Sequence, residues 1–177
     1  TGVVFAATAN RHESARAEVV QSLYLVKLAG GEPTRLTADA ASYGAPAFSP
    51  DGKTFYFADS WSEEISVYDY DLETGTPSNK RTFASMKGTG GAPDGATVDA
   101  EGCVWSACVY AGFLARYTPE GVLDRKIEMP VKKVTSVMFG GPNLDILYVT
   151  SMAKPRLAIS AAAACVSTTL PGPVVSR

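Results

Sequence analysis

Short apolar stretches alternate with tight turn sequences along this chain, and they return at a fixed interval. The tetrapeptide SPDG at 49–52 is echoed by DAEG at 99–102, fifty residues later. An apolar stretch precedes each turn and a stretch rich in aromatic and β-branched residues follows it, at 54–58 and 104–109. Each turn is therefore predicted to join the two strands of a hairpin.

A second series of strand-like stretches runs in phase with these hairpins. Three of them end at glycine-containing turns, namely 22–28, 65–70 and 113–117. Three more follow those turns, at 33–37, 80–84 and 123–129, and a further unit opens at 134–139 and 146–150. Four strands per unit of about 40–50 residues is the spacing of propeller blades. We predict an all-β fold, a partial β-propeller of about three and a half four-stranded blades.

A β-sandwich is the alternative fold, because its turns also recur every 8–12 residues or so. The propeller is favoured because a sandwich has no reason to repeat at an interval of fifty. A partial ring would leave sheet edges and apolar blade faces exposed to water. The ring is therefore expected either to be completed by a second copy, as a homodimer, or to be part of a longer protein.

The repeat divides the chain into regions. Residues 1–157 are predicted to form the blades, with an N-terminal blade at 1–47 and the remaining blades at 48–157. A short helix at 12–21 would interrupt the first blade, since charged residues and alanines favour helix there. The tail at 158–177 loses the repeat. It is expected to be a short helix followed by coil, or sequence foreign to the fold.

Composition excludes several classes of function. The 177 residues are 46% hydrophobic, enough for a packed core. The net charge of −2 offers no basic face for nucleic acid, and no apolar run approaches the roughly 18 residues that span a membrane. Three cysteines form neither a disulfide framework nor a metal-binding pair, and the first residues show no secretion signal. A cytoplasmic protein that acts on a small molecule is expected.

Motifs in the central stretch of the chain resemble those of the gluconolactonase/regucalcin family of calcium-dependent lactonases. They occur in the family's order between about 48 and 150: FSPDGKTFYFADS, VYDYDLETG, APDGATVDAEGCVWSACV and FGGPNLDILYVTS. Members of this family are propellers that hold one divalent cation, usually calcium, at the mouth of the central channel. The resemblance implies a divalent-metal-dependent hydrolase of lactones or esters, with calcium or another cation such as zinc as cofactor.

Asp94 is the candidate catalytic and metal-binding residue, since it corresponds to the aspartate of the family's PDG motif. The residues agree with this assignment, because Pro93-Asp94-Gly95 opens the innermost strand of a blade, where a side chain faces the channel. Hard cations prefer oxygen ligands. The alternative interpretation is an ordinary turn aspartate after proline.

The sequence departs from the family at the other ligand positions. The family's asparagine falls near Gly44, which has no side chain to offer, and its early glutamate belongs to blades that this chain does not contain. Further ligands are therefore expected from a second chain or from a shifted site that uses Asp59, Asn143 or Ser151. The alternative prediction is that the metal site stays incomplete. The chain would then be a non-catalytic, self-associating half-propeller fragment or chimera.

The N-terminal part resembles a different group of propellers. LYLV, GGEPTRLT and FSPDG are similar to a blade of prolyl-oligopeptidase-type enzymes, which suggests a chimera joined at the FSPDGKT hairpin. The chain has no GxSxG motif and one histidine, His12, so a serine-histidine-aspartate triad is not expected.

Overall fold

The structure is a computed structural model that describes residues 2–7, 22–36, 44–152 and 166–169. These residues form fourteen strands in four antiparallel sheets, which we call blades 1 to 4. Blade 1 contains β1 (Gly2–Ala7), β2 (Ser22–Lys27) and β3 (Thr34–Arg35). Blade 2 contains β4 (Gly44–Phe48), β5 (Thr54–Asp59), β6 (Glu64–Asp71) and β7 (Thr76–Ser85). Blade 3 contains β8 (Ala92–Val98), β9 (Val104–Val109), β10 (Phe113–Tyr117) and β11 (Leu123–Glu128). Blade 4 contains β12 (Val134–Gly140), β13 (Ile146–Ser151) and β14 (Val166–Thr169).

Blade 3 is covered on both faces, which explains its continuous apolar strands. Every residue of β9 and β10 is buried. One face packs on blade 4, where Trp105 and Leu114 meet Val137 and Leu147. The other face packs on blade 2 through a cluster that includes Val104 and Tyr56. Sheets stacked face to face in this way bury both sides of their middle strands.

The first strands of successive blades lie beside one another. β1 contacts β4, β4 contacts β8, and β8 contacts β12. The approach of β8 to β12 is close, because a Cβ atom added to Gly95 would overlap the side chain and the Cα atom of Ser136. First strands gathered side by side, with the later strands further out, are the arrangement of propeller blades around an axis. The prediction of an all-β partial propeller is confirmed.

The first strand of each of blades 2, 3 and 4 carries a β-bulge at the same level. The pairing steps from Pro93 with Cys108 to Ala96 with Ser106, so β8 has one residue more than β9. β4 has the same irregularity between Gly44 and Ala47, and β12 has it between Val134 and Ser136. A bulge turns the side chains of the extra residues out of the regular alternation.

The tail differs from the prediction over the four residues that the structure describes. Val166–Thr169 forms strand β14 instead of coil and pairs with β13, Val166 opposite Val149 and Thr169 opposite Ile146. The tail thus extends blade 4 to three strands. The helix predicted at 12–21 and the rest of the tail lie outside the described residues.

Within the part of the chain that the structure describes, no helix has the length and apolar character that a membrane crossing requires.

Candidate functional site

Strand direction decides which candidate residues can meet. β4, β8 and β12 all begin at the same end of their blades, which we call the entrance end. Asp94 lies near the start of β8, Asp59 at the end of β5 and Ser151 at the end of β13, so all three are at the entrance end. Asn143 lies in the turn that joins β12 to β13, beyond the pair Gly140 and Ile146, and is exposed. The structure places Asn143 at the far end of the sheet and does not bring it together with Asp94.

Asp94 sits in the bulge of β8 with its side chain half-buried. Burial raises the pKa of its carboxyl group, and a hydrogen bond from the backbone of Gly95 offsets this in part. The other described carboxyl groups with a resolved pKa shift have the pKa lowered, in Asp69 and Asp124 chiefly by hydrogen bonds from neighbouring side chains and in Asp71 chiefly by one from the backbone of Glu73. No ion pair with a lysine or arginine of the described residues is formed by Asp94. A partly desolvated carboxylate without a positive partner is the electrostatic setting that a cation would relieve.

The carboxylate of Asp59 organises a turn. Its Oδ1 atom accepts hydrogen bonds from the backbone amides of Trp61, at 3.1 Å, and Ser62, at 3.3 Å. These bonds form an Asx-type turn between β5 and β6. One oxygen of Asp59 is therefore already used by the backbone of its own hairpin.

Ser151 lies on the second strand of blade 4, opposite Val134 in the pairing of β12 and β13, and is buried. It is thus at the right end of the blade but one strand further from the first strands than Asp94.

A contact that the sequence did not reveal joins blade 2 to the neighbourhood of Asp94. The Oγ atom of Ser60 donates a hydrogen bond to the carbonyl oxygen of Pro93 at 2.7 Å, across 33 residues of chain. A serine directly after a strand is an ordinary turn residue in sequence, so no local signal could have identified it.

The described residues fit a cation in part. Asp94 supplies a carboxylate oxygen of the type that calcium binds, but calcium takes about 6–8 oxygen ligands. The bulge of β4 contains Ala45 and Pro46, whose side chains carry no oxygen. The bulge of β12 contains Thr135, whose hydroxyl already shares a hydrogen bond of 2.9 Å with the hydroxyl of Thr150. The donor set around Asp94 is therefore incomplete within the described residues.

A second acidic cluster lies at the opposite end of blade 3. Asp99, Glu101 and Cys103 place their ligand atoms within 4.8 Å of one another. Asp99 is saturated, since its Oδ1 accepts from the amides of Glu101 and Cys103 and its Oδ2 from Trp105 Nε1 and Arg116. Arg116 also forms ion pairs with Glu101 and Asp124. This cluster is the counter-charge of a buried arginine, so its role is structural.

Fold and site together define a class of protein: a β-propeller with a half-buried carboxylate, that of Asp94, near the start of a first strand. Residues 1–153 match the SMP-30/Gluconolactonase/LRE-like region, so the chain belongs to this family. The resemblance found in the sequence is thereby confirmed for the family. The match includes the N-terminal part, whose similarity to prolyl-oligopeptidase-type blades stays a prediction.

Individual relatives are similar over part of their length. Regucalcin of Xenopus laevis is 43% identical over 105 residues, which are 59% of this chain and 35% of that protein. A pentonolactonase of Haloferax volcanii is 39% identical over 132 residues, 70% of this chain and 45% of that protein. The solved structure of a calcium-binding regucalcin from Agrobacterium tumefaciens has a TM-score of 0.70 and 34% identity, covering 78% of this chain and 46% of that one. The chain thus spans between a third and a half of these relatives.

Proposed function

We propose that this chain carries part of the catalytic centre of a divalent-metal-dependent hydrolase of lactones or esters, with Asp94 as a metal ligand. The observation that carries the proposal is the half-buried carboxylate of Asp94, which lies in a bulge at the entrance end, has no cationic partner among the described residues and has a raised pKa. Perturbed carboxylates without a structural partner are a common feature of functional sites.

The relatives support the substrate class and the cation. The family description includes gluconolactonase, one relative is a pentonolactonase, and one solved structure is of a calcium-binding protein. A cyclic ester of a sugar acid is the substrate that these names share, and calcium, or zinc in its place, is the cofactor proposed.

The reaction adds water to the carbonyl carbon of the lactone and breaks its ring C–O bond, which leaves a hydroxy acid. A divalent cation supplies Lewis acidity at the carbonyl oxygen when it is bound. Asp94 holds one oxygen at the entrance end for the cation, and its second oxygen can accept a hydrogen bond from the attacking water and orient it. The burial of Asp94 strengthens both interactions, because water screens them less there.

The proposal includes a homodimer, because the described residues supply one carboxylate where calcium takes about 6–8 oxygens. A second copy that completes the ring would bring the starts of its own first strands to the same entrance end, and further oxygen ligands with them. Mass in solution by light scattering, with calcium and with chelator, tests this association, and a mass of one chain in both conditions would contradict it.

The experiment for the activity is a hydrolysis assay with aldonic acid lactones and aryl esters in calcium, zinc or chelator. Asp94→Asn keeps the size of the side chain and removes its charge, and we expect turnover to fall at least about 100-fold, more than the loss of a ligand's supporting contacts causes. Asp145→Asn is the matched control, since Asp145 is an exposed carboxylate in the turn at the far end. Turnover that resists chelator, or that Asp94→Asn leaves unchanged, would contradict the proposal.

A further inference from the structure

The hydrogen bond between Ser60 and Pro93 connects blade 2 to blade 3 at the residue directly before Asp94. Ser60 belongs to the turn between β5 and β6 in blade 2, and Pro93 is the last residue of β8 that pairs with β9 before the bulge. A proline has no N–H to donate, so its carbonyl is the only backbone group with which it can form a hydrogen bond. In Pro93 this carbonyl accepts from a side chain of the neighbouring blade.

The turn that carries Ser60 is itself well anchored. The Oδ1 atom of Asp59 accepts the amide protons of Trp61 and Ser62, and the carbonyl of Glu63 accepts the amide proton of Met86 at 2.8 Å. The hydrogen bond from Ser60 to Pro93 therefore starts from a turn whose backbone is itself held by hydrogen bonds.

The opposite side of the bulge is also fixed. Gly95 lies against Ser136 of blade 4 so closely that no Cβ atom would fit. The segment that carries Asp94 is thus held between blade 2 on one side and blade 4 on the other. Within the bulge the ladder with β9 is interrupted, so these outside contacts replace regular strand pairing in setting its conformation.

We infer that Ser60 is a positioning residue for Asp94: its hydrogen bond to the Pro93 carbonyl fixes the bulge that directs the Asp94 carboxylate toward the bound cation. The inference rests on the proposed function, in which Asp94 is a metal ligand. Contacts that orient a metal ligand typically change metal affinity by 10–100-fold when they are removed.

The test compares three variants at two neighbouring serines. Ser60→Ala removes the hydroxyl, and Ser60→Thr retains it at an exposed position with room for a methyl group. Ser62→Ala is the matched control, because its hydroxyl donates to the carbonyl of Asp59 within the same turn. The readouts are the dissociation constant for calcium by titration calorimetry and, before any metal is added, amide hydrogen exchange of Ala92–Val98.

We expect Ser60→Ala to weaken calcium binding about tenfold and to speed exchange in β8. Ser60→Thr and Ser62→Ala should behave as the unsubstituted chain does. Calcium binding and exchange that are unchanged in Ser60→Ala would overturn this inference alone. Absence of calcium binding in the unsubstituted chain would overturn both the metal role of Asp94 and the inference that depends on it.

Discussion

Removal of the buried arginine of blade 3 gives a quantitative test of the packing described above. Arg116 and Asp99 form an ion pair of 2.8 Å in which the two side chains are 10% and 1% exposed. Arg116→Met keeps a long apolar side chain against Trp105 and removes the charge. Asp99 then keeps neutral donors only, namely two backbone amides and the indole N–H of Trp105.

The expected cost follows from leaving the buried carboxylate of Asp99 without the positive charge that neutralises it. Breaking a buried pair by removal of one partner costs about 3–5 kcal/mol. We therefore expect Arg116→Met to lower the free energy of unfolding by about 3–5 kcal/mol at pH 7.

The assay is urea denaturation followed by the fluorescence of Trp105 in a Trp61→Phe background. This works because the chain has two tryptophans, of which Trp105 is 1% exposed and Trp61 is 82% exposed. The double variant Asp99→Asn with Arg116→Met removes both charges, so it should be less destabilised than Arg116→Met alone.

Arg81 provides the matched control for this prediction. It pairs with Asp69 at the same distance of 2.8 Å, but both side chains are 50% exposed. Arg81→Met should cost less than about 1 kcal/mol, because water screens exposed pairs. A cost for Arg116→Met as small as that of Arg81→Met would refute the reasoning.

Two further predictions concern blade 3. Burial raises the pKa of Tyr117 to about 12, so the folded state keeps a proton that the unfolded chain loses near pH 10. Stability should then fall by about 2 kcal/mol more between pH 10 and 12 in the parent than in Tyr117→Phe, as urea titrations across that range would show, with exposed Tyr148→Phe as control. Gly95→Ala should lower the free energy of unfolding by about 1–3 kcal/mol, because its methyl group would overlap Ser136. Adding Ser136→Gly should recover part of this loss, and an unchanged urea midpoint in Gly95→Ala would contradict the close approach of β8 and β12.

The fold could be predicted from the sequence where strands are buried. β9 and β10 have the predicted bounds, since both of their faces are covered and every position except Ser106 and Arg116 is apolar. The outermost strand β7 runs over Thr76–Ser85, well beyond the predicted 80–84, and most of its residues are exposed. This strand is defined by its backbone pairing with β6. Its bounds were missed because exposed side chains do not produce the apolar pattern from which a strand is predicted. β14 escaped prediction for a related reason, because four residues become a strand through their pairing with β13.

For the candidate site, the sequence offers one motif and the directions of the strands. Asp94 was proposed because it matches the aspartate of the family's PDG motif, and the structure places this motif near the start of the first strand β8. Strand direction separates the start of β8 from the turn after β12, so the sequence already held the information that keeps Asn143 away from Asp94.

The bulge and its support could not be predicted, because both depend on contacts between distant parts of the chain. A strand sequence does not show which residue is left unpaired, since this is decided by the register of its neighbour. Three first strands have a bulge at the same level, yet among these segments the β8 bulge alone contains a carboxylate. The segment that carries this carboxylate contacts blade 2 through the hydrogen bond from Ser60 to Pro93 and blade 4 through the close approach of Gly95 to Ser136. The geometry of Asp94 is therefore a property of three adjacent blades, so a variant that loosens either neighbour should impair the site without touching Asp94 itself.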